Sequence, residues 1–327
     1  MQIDSQDLHN PNFQETHFAL HAYDGKLLHF CTLIKSQLVK LLRRASIFFL
    51  LYLGFVLTQL VLTIIFLTTY FVGIFITSFF VSLFLTFPYL YYLKAKKAKR
   101  MHFLIEEFEK MCRGQVHSFE DEKENNFILS YGTKLLYDKM LSIETYIFRM
   151  PKWLFFFQDF FSLLSQVLHK HDLFYLKELL LEKSKLYRIK LIQKDPQNPK
   201  YHIKLALGLL DMHAFYQTYT LDRLEKKYML LAIQELKIVH AYLPNNMWTL
   251  EQLAICYSEL KDTKREAKVL EKLVQIEPEN VELLKNLGTL YFQMGRNKKG
   301  LEMYENLSAK SIDLAQEMLT FFGAVND

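Results

Sequence analysis

The residues that could do chemistry in this sequence are few, and their spacing does not suit catalysis or metal binding. His169 and His171 lie two residues apart, so their side chains would point to different faces of a helix. No other His or Cys lies near them in sequence. The chain also lacks a nucleophile elbow, a glycine-rich phosphate loop and an HExxH motif. We therefore expect a protein that is not an enzyme and that carries no metal and no cofactor.

The cysteines and the charge indicate where the chain resides. Cys31, Cys112 and Cys256 are far apart and odd in number, which fits a reducing compartment better than a disulfide framework. The formal charge of +5 at pH 7 is unremarkable once the basic residues flanking one apolar stretch are set aside. Because no other Lys and Arg cluster suggests a nucleic-acid face, we expect no nucleic-acid partner.

That apolar stretch runs from Ala45 to Leu93 and contains no charged residue. One membrane-spanning helix needs about 20 apolar residues, so the stretch is far too long for a single pass. It predicts a transmembrane hairpin, with helices from Ser46 to about Leu67 and from about Phe71 to Leu93 and a turn near residues 68–70. A signal peptide would be shorter and would start near Met1.

Basic residues on both flanks set the orientation. No acidic residue lies between Lys26 and Arg44, and the hairpin is followed directly by a basic run, Lys94-Ala-Lys-Lys-Ala-Lys-Arg100. Basic flanks stay on the cytoplasmic side. We expect an integral membrane protein with two passes and both termini in the cytoplasm, in a bacterial inner membrane.

Helical periodicity extends to both sides of the hairpin. Before it, an apolar stripe predicts an amphipathic helix that lies either along the membrane surface or against the soluble domain: Leu27, Cys31, Ile34, Leu38 and Leu41. After it, a second stripe predicts that the helix continues to Cys112, with a break at Gly114: Met101, Leu104, Ile105, Phe108 and Met111.

The next segments mix charged and aromatic residues. We read residues 120–126 as a charged loop, followed by a helix from about Phe127 to Met150 that ends before Pro151. Residues 152–168 are unusually aromatic. They predict either a buried core helix, which we prefer, or a membrane-interface helix. Beyond Asp172 the chain reads as helices of ordinary length, with a connection at residues 194–199, where two prolines interrupt the pattern.

The C-terminal third repeats with a period of 34 residues. Leu253 pairs with Leu287, Ala254 with Gly288, and Pro244 with Pro278. A period of this length in a helical chain predicts a stacked solenoid, since one helix pair cannot bury its apolar face alone.

The repeat resembles the tetratricopeptide repeat (TPR) family. The segment Asn286-Leu-Gly-Thr-Leu-Tyr291 matches the family pattern, with Gly288 permitting close helix contact, Tyr291 filling the space between helices and Gly295 allowing the turn. Three positions depart from the pattern: Gly300 replaces the usual Ala, and in the preceding unit Ala267 sits one place late and Lys261 replaces the turn glycine. The resemblance covers about residues 247–307, with degenerate units back to about residue 172 and a cap helix over residues 312–322.

The TPR resemblance implies a groove that binds proteins or peptides, lined by the first helices of the repeats. By position, the groove would present these partner-binding residues: Trp248, Glu251, Ile255, Ser258, Glu282, Lys285, Thr289 and Phe292. The Lys/Asn pattern with which some members clamp a C-terminal carboxylate is missing. We therefore expect a partner other than a chaperone tail.

Together these patterns predict an all-α protein in which a two-helix transmembrane hairpin precedes a cytoplasmic α-solenoid. Its predicted parts are an N-terminal segment (1–44), the hairpin (45–93), a helical connector (94–171) and the TPR-like solenoid (172–327). The predicted function is a membrane-anchored scaffold, whose partners are a protein or peptide and the lipid bilayer.

An alternative is a secreted effector or membrane-shaping protein. The hairpin layout is weakly similar to that of chlamydial inclusion-membrane proteins, a resemblance that rests on layout alone. A reporter fused to the N-terminal tip would separate the two readings, because secretion favours the effector and retention favours the scaffold.

Overall fold

A computed structural model describes residues 11–65, 72–115, 122–143, 147 and 158–323. Within these ranges the regular structure is α-helical, as the sequence predicts. The chain forms two compact units that divide between Tyr187 and Arg188. The predicted solenoid begins 16 residues earlier, at residue 172.

The helices of the first unit are long. They are α1 (Pro11–Ile65), α2 (Val72–Arg113), α3 (Glu122–Met140) and α4 (Gln158–Lys194), whose last turns follow the division between the units. The second unit contains α5 (Pro199–Thr218), α6 (Asp222–Tyr242), α7 (Met247–Glu259), α8 (Thr263–Ile276), α9 (Val281–Gln293), α10 (Asn297–Ser308) and α11 (Ile312–Gly323).

The apolar parts of α1 and α2 pair in antiparallel fashion. The Gln59 amide donates to Ser78 Oγ (3.1 Å), and the Ser82 hydroxyl donates to Gln59 Oε1 (2.9 Å). The Tyr52 hydroxyl donates to the carbonyl of Ser82 (3.3 Å). Gln59, Ser78 and Ser82 therefore meet between the two helices and bond to one another.

One described helical stretch, Asp24–Ile65, is long and apolar enough to cross a membrane, and its apolar window contains no buried residue. The second helix carries a shorter apolar stretch, Ile76–Leu85. The second pass stays a prediction, and the predicted turn at residues 68–70 lies outside the described residues.

A helical bundle forms where the apolar pair ends. Leu27, Cys31, Ile34 and Leu38 of α1 are at most 2% exposed, so the predicted stripe packs inside the protein and does not lie along a membrane surface. Its last member is Leu42, not the predicted Leu41, which is only partly buried.

The second predicted stripe is buried against the same core. Met101, Leu104, Ile105 and Phe108 of α2 are at most 4% exposed, whereas Cys112 is fully buried in place of the predicted Met111. Close packing with α3 occurs at Gly132, where an added Cβ atom would lie 3.2 Å from Cys112 Sγ and 3.6 Å from Leu27.

Two predicted boundaries in this unit are wrong. Residues 122–126 are the first turns of α3 and not a charged loop, because Glu122 and Glu124 suit the positive end of a helix. The helix predicted to reach Met150 ends at Met140. The aromatic stretch 152–168 is described as helix only from Gln158.

Polar contacts along α4 tie it to the other helices of the bundle. Lys183 pairs with Glu109 of α2 (2.6 Å), and the Ser184 hydroxyl donates to the carbonyl of Ser130 in α3 (3.1 Å). The Tyr175 hydroxyl lies 2.5 Å from His102 Nε2. These contacts explain why the first unit extends to Tyr187.

The second unit is a stack of antiparallel helix pairs. Each pair shares a core with the first helix of the next: α5 and α6 with α7, α7 and α8 with α9, and α9 and α10 with α11. The helix pair α5 and α6 lies in the region where the sequence predicts degenerate units. The predicted cap helix is confirmed as α11.

Local sequence signals place the helix ends. Asn198, Asn246 and Asn280 each cap a first helix by accepting from a backbone N–H of its first turn. Each follows a proline two residues earlier, so this Pro-x-Asn signal also marks α5, which the 34-residue period alone did not fix.

Candidate protein-binding face

The first helices of the repeats each bury one face and expose the other. On α7, Leu250, Leu253 and Tyr257 are at most 4% exposed. Between them, Ile255 is 51% exposed. Ile255 is therefore the large apolar side chain that the exposed side of α7 presents to solvent.

Carboxylates and a hydroxyl surround Ile255 on α7. Glu251, Ser258 and Glu259 are exposed at helical spacing from it, on the same side of the helix. We call the exposed side of α7 and α9 the first-helix face. It comprises Trp248, Glu251, Ile255, Ser258, Glu259, Glu282, Lys285 and Thr289.

Trp248 stands at the edge of this face. It is partly buried and packs against the core shared by α5, α6 and α7. Its position is fixed by the preceding Asn246, whose side chain accepts from the backbone N–H and the hydroxyl of Thr249 (2.9 and 2.7 Å). Trp248 therefore contributes to the packing of the core as well as to the exposed surface.

On α9 the predicted residues differ in exposure. Glu282 is exposed, whereas Thr289 and Lys285 are partly buried. Lys285 pairs with Glu317 of α11, and the hydrogen bond to that carboxylate raises the pKa of the lysine. The α11 helix thus holds Lys285 in place at this end of the face.

Phe292 is not on the first-helix face, and the prediction that it lines the groove is wrong. It is 1% exposed and packs with Leu284, Leu307 and Met318 in the core shared by α9, α10 and α11. Phe292 lies one 34-residue period after Ser258, which is exposed as predicted. The Phe292 ring is buried instead because it packs in the space beside Gly300, which has no side chain.

Sequence reasoning missed Glu259 and its partner His213. The imidazole Nε2 of His213 lies 2.7 Å from Glu259 Oε2, and its Nδ1 lies 3.2 Å from the carbonyl of Glu225. His213 is 7% exposed, so it fixes one carboxylate of the face from inside the protein. The signal that could have found Glu259 was its position next to Ser258 on the same helix.

Electrostatically the face is acidic. The face and its border carry four carboxylates and one lysine, Lys285: Glu251, Glu259, Glu282 and Glu317, of which Glu317 pairs with the lysine. Such a surface disfavours acidic partners and favours basic ones.

A second polar cluster lies in the first unit and has the groups of a hydrolase triad. Ser46 Oγ is 2.6 Å from His169 Nε2, and His169 Nδ1 is 3.7 Å from Asp172 Oδ2. The Ser46 hydroxyl is also bonded to the carbonyl of Leu42, and the residue is 1% exposed. A substrate carbonyl cannot reach it, so this cluster serves to tie α1 to α4.

Lys97 of α2 completes this cluster by pairing with Asp172. Burial would raise the pKa of that carboxyl, but its interactions with His169 and Lys97 outweigh burial and lower it. Within the described ranges no three His, Cys, Asp or Glu side chains are grouped to hold a metal ion.

The C-terminal unit is TPR-like. Its 34-residue period, its stacked helix pairs and the close packing at Gly288 agree with the predicted resemblance.

Comparison with known proteins gives distant structural neighbours. No protein-family model matches the chain, and no curated protein matches it. A crystal structure of MamA protein is similar to 44% of this chain over 76% of its own, at 18% identity and a TM-score of 0.33. TTC0263, a TPR protein of Thermus thermophilus, has 15% identity, coverages of 70% and 94% and a TM-score of 0.32. YrrB, described as a TPR protein with an unusual peptide-binding site, has 13% identity, coverages of 68% and 95% and a TM-score of 0.33.

Proposed function

We propose that this protein is a membrane-anchored scaffold that binds a partner protein on the first-helix face. The observation that carries the proposal is Ile255, 51% exposed between carboxylates on a helix whose opposite side is fully packed. Protein interfaces commonly have an apolar centre surrounded by polar residues, and this helix presents both.

The partner we infer carries an apolar side chain flanked by Lys or Arg. The apolar group would bury Ile255, and the basic groups would meet Glu251, Glu259 and Glu282. Charge complementarity of this kind sets specificity and speeds association. The partner segment can be helical or extended, since the face spans two neighbouring helices.

The paired apolar helices supply the proposed anchor. Large apolar side chains of α1 and α2 are exposed along the pair, among them Leu51 (68%), Ile64 (63%) and Phe84 (80%). An apolar surface of this size is unfavourable in water, whereas lipid chains would cover it. With basic residues on both flanks, we propose two passes with both termini in the cytoplasm.

Topology is tested by protease protection. Tags at either terminus of the full chain should resist protease added outside intact cells and should be cut once the membrane is opened. Cleavage of either tag in intact cells would contradict the proposed orientation.

Binding is tested by placing a photo-crosslinking amino acid in the full chain in cells. At position 255 it should give a discrete adduct with a partner protein. The matched control is position 276, because Ile276 of α8 is also exposed (37%) but lies outside the first-helix face. Equal adducts at both positions would contradict the proposal.

Affinity for the captured partner gives the second test. Loss of a central interface anchor typically costs about 2 kcal/mol, roughly 30-fold in the dissociation constant. We expect that loss for Ile255→Asp and little change for Ile276→Asp, with unchanged helical circular dichroism in both. Ile255 is a cleaner probe than Trp248, whose removal would also disturb the core.

A further inference from the structure

Exposed cations from three helices surround the end of the apolar helix pair. We call these residues the basic collar: Lys40 and Arg44 of α1, Lys94, Lys96, Lys99 and Arg100 of α2, and Lys170 of α4. All seven side chains are exposed, so the collar faces outward from the protein.

The packing of the helices brings these cations to one level. The antiparallel contacts of Tyr52 and Gln59 with Ser82 place Arg44 beside the residues that follow position 90 of α2. The contact of Ser46 with His169 then sets Lys170 of α4 at the same height. The collar therefore depends on the tertiary fold and not only on one basic run.

Neither α1 nor α2 carries an acidic residue near this level. The sequence has no Asp or Glu between Asp24 and Glu106. Among the described side chains of α4, Asp172 is the carboxylate at this level, and it is 9% exposed and paired with Lys97. Lys97 is thus the inward member of the basic run, whereas Lys94, Lys96, Lys99 and Arg100 are exposed.

Apolar groups adjoin the collar on one side. The side chains of Tyr91 and Tyr92 are 77% and 57% exposed just before Lys94. On α4, which runs alongside α2 in the same direction, Leu163 and Val167 are 62% and 70% exposed just before His169. At these two positions of the aromatic segment 152–168, the exposure favours the membrane-interface alternative over the buried core helix.

We propose that the basic collar binds the headgroups of anionic phospholipids. A cationic ring beside apolar and tyrosine side chains matches the level at which lipid phosphates lie above acyl chains. The inference rests on the proposed membrane anchoring and adds to it a preference among lipids, which the hairpin alone would not give.

The test uses the full chain reconstituted in phosphatidylcholine bilayers that contain traces of spin-labelled lipids. Spin resonance reports the fraction of each labelled lipid that is immobilised at the protein surface. We expect phosphatidylglycerol to be immobilised at least about threefold more than phosphatidylcholine, since each basic residue near the surface attracts anionic lipid. This excess should fall at about 0.5 M salt, which screens exposed charges.

Two quadruple variants locate the effect. Changing Lys94, Lys96, Lys99 and Arg100 to Gln should bring the ratio close to one while leaving the Lys97–Asp172 pair intact. The matched control changes four exposed lysines of the second unit to Gln, with the same loss of charge: Lys237, Lys264, Lys268 and Lys298. The control should keep the wild-type ratio.

The outcomes separate the two proposals. Equal immobilisation of both lipids by the wild type would overturn the collar proposal and leave the anchor standing. No immobilised lipid of either kind would overturn the anchor itself. A control variant that loses the preference as fully as the collar variant would show a non-specific charge effect and would also overturn the collar proposal.

Discussion

The ring of Phe292 occupies the space beside Gly300. A Cβ atom built on Gly300 would lie 2.6 Å from Cδ1 and 2.9 Å from Cζ of that ring, closer than real atoms approach. The two residues sit on α9 and α10 of the same helix pair. Gly300 departs from the TPR pattern and Phe292 is absent from the surface for the same reason: the phenylalanine ring fills the space that a side chain at position 300 would need.

This relationship predicts strong coupling between the two positions. Gly300→Ala should lower the free energy of unfolding by about 1–3 kcal/mol through overpacking. In a Phe292→Leu background the same change should cost much less, because the shorter side chain leaves room for a methyl group. Thermal and urea unfolding of the four proteins, followed by circular dichroism, gives the coupling. Additive costs would contradict the proposed contact.

A second close approach lies at Gly288. A Cβ atom there would overlap the sulfur of Met318 on α11 and lie 3.1 Å from Cβ of Met303 on α10. Gly288→Leu should therefore lower stability by about 1–3 kcal/mol or more and should loosen α11 first. Hydrogen exchange of the α11 amides reports this directly.

The control for Gly288→Leu is Gly114→Ala, because a Cβ atom at Gly114 would meet only carbonyl oxygens at 3.6 Å, an ordinary contact. Membrane insertion should be unchanged in both variants. Wild-type protection of α11 in Gly288→Leu would argue against the TPR-like packing.

The turns inside the three helix pairs share one backbone feature. Thr220, Lys261 and Gly295 have φ angles of 54°, 58° and 69°, in the left-handed region that favours glycine. Gly295→Ala should therefore lower the free energy of unfolding by about 1 kcal/mol. Lys261→Gly and Thr220→Gly should raise it, Thr220→Gly by more, because a β-branched residue is strained there.

The opposite signs make the turn comparison a test of conformation, since a loss of side-chain contacts would lower stability in Lys261→Gly and Thr220→Gly. Urea midpoints measured under one set of conditions decide it. A lower midpoint for Lys261→Gly would mean that its left-handed conformation is not strained.

The repeat architecture could be predicted because the sequence signals that specify it are local and periodic. The 34-residue spacing, the Pro-x-Asn caps at Asn246 and Asn280 and the small residue at Gly288 each act within one or two neighbouring helices. Phe292 could not be placed in the same way. Its burial depends on the absence of a side chain at Gly300. The spacing of the repeat does not show that a large side chain at one position fits beside a glycine at the other.

Contacts across the first unit were beyond prediction for a related reason. Ser46 and His169 are 123 positions apart in sequence, and nothing periodic connects them. The charged start of α3 was misread because a run of Glu and Lys suits a solvated loop and a helix N-terminus equally well. Only packing of the following residues decides between them.

Lys204 of α5 provides a pH-dependent test of the second unit. Burial lowers the pKa of its ammonium group to about 8, and the positive charges of Arg188 and Lys200 add repulsion. The Arg188 guanidinium also donates to the carbonyl of Lys204 (2.6 Å), which holds the two residues close together. The fold thus carries a cation at a site that disfavours its charge.

The sign of the pH effect follows from linkage. The pKa in the folded state is lower than the ordinary value of 10.5, so between pH 8 and 10.5 the unfolded chain binds more protons at this residue. The free energy of unfolding should therefore rise with pH across that window. Below pH 8 the full penalty is present.

We expect Lys204→Met to be more stable than the wild type at pH 7.5, with a gap that narrows as the pH approaches 10.5. Urea midpoints taken at intervals across this range give both curves. Lys268→Met serves as the control because Lys268 is exposed, and its curve should run parallel to that of the wild type. If the Lys204→Met curve also runs parallel to the wild type, Lys204 does not titrate in the window, and its charge is compensated in the folded state.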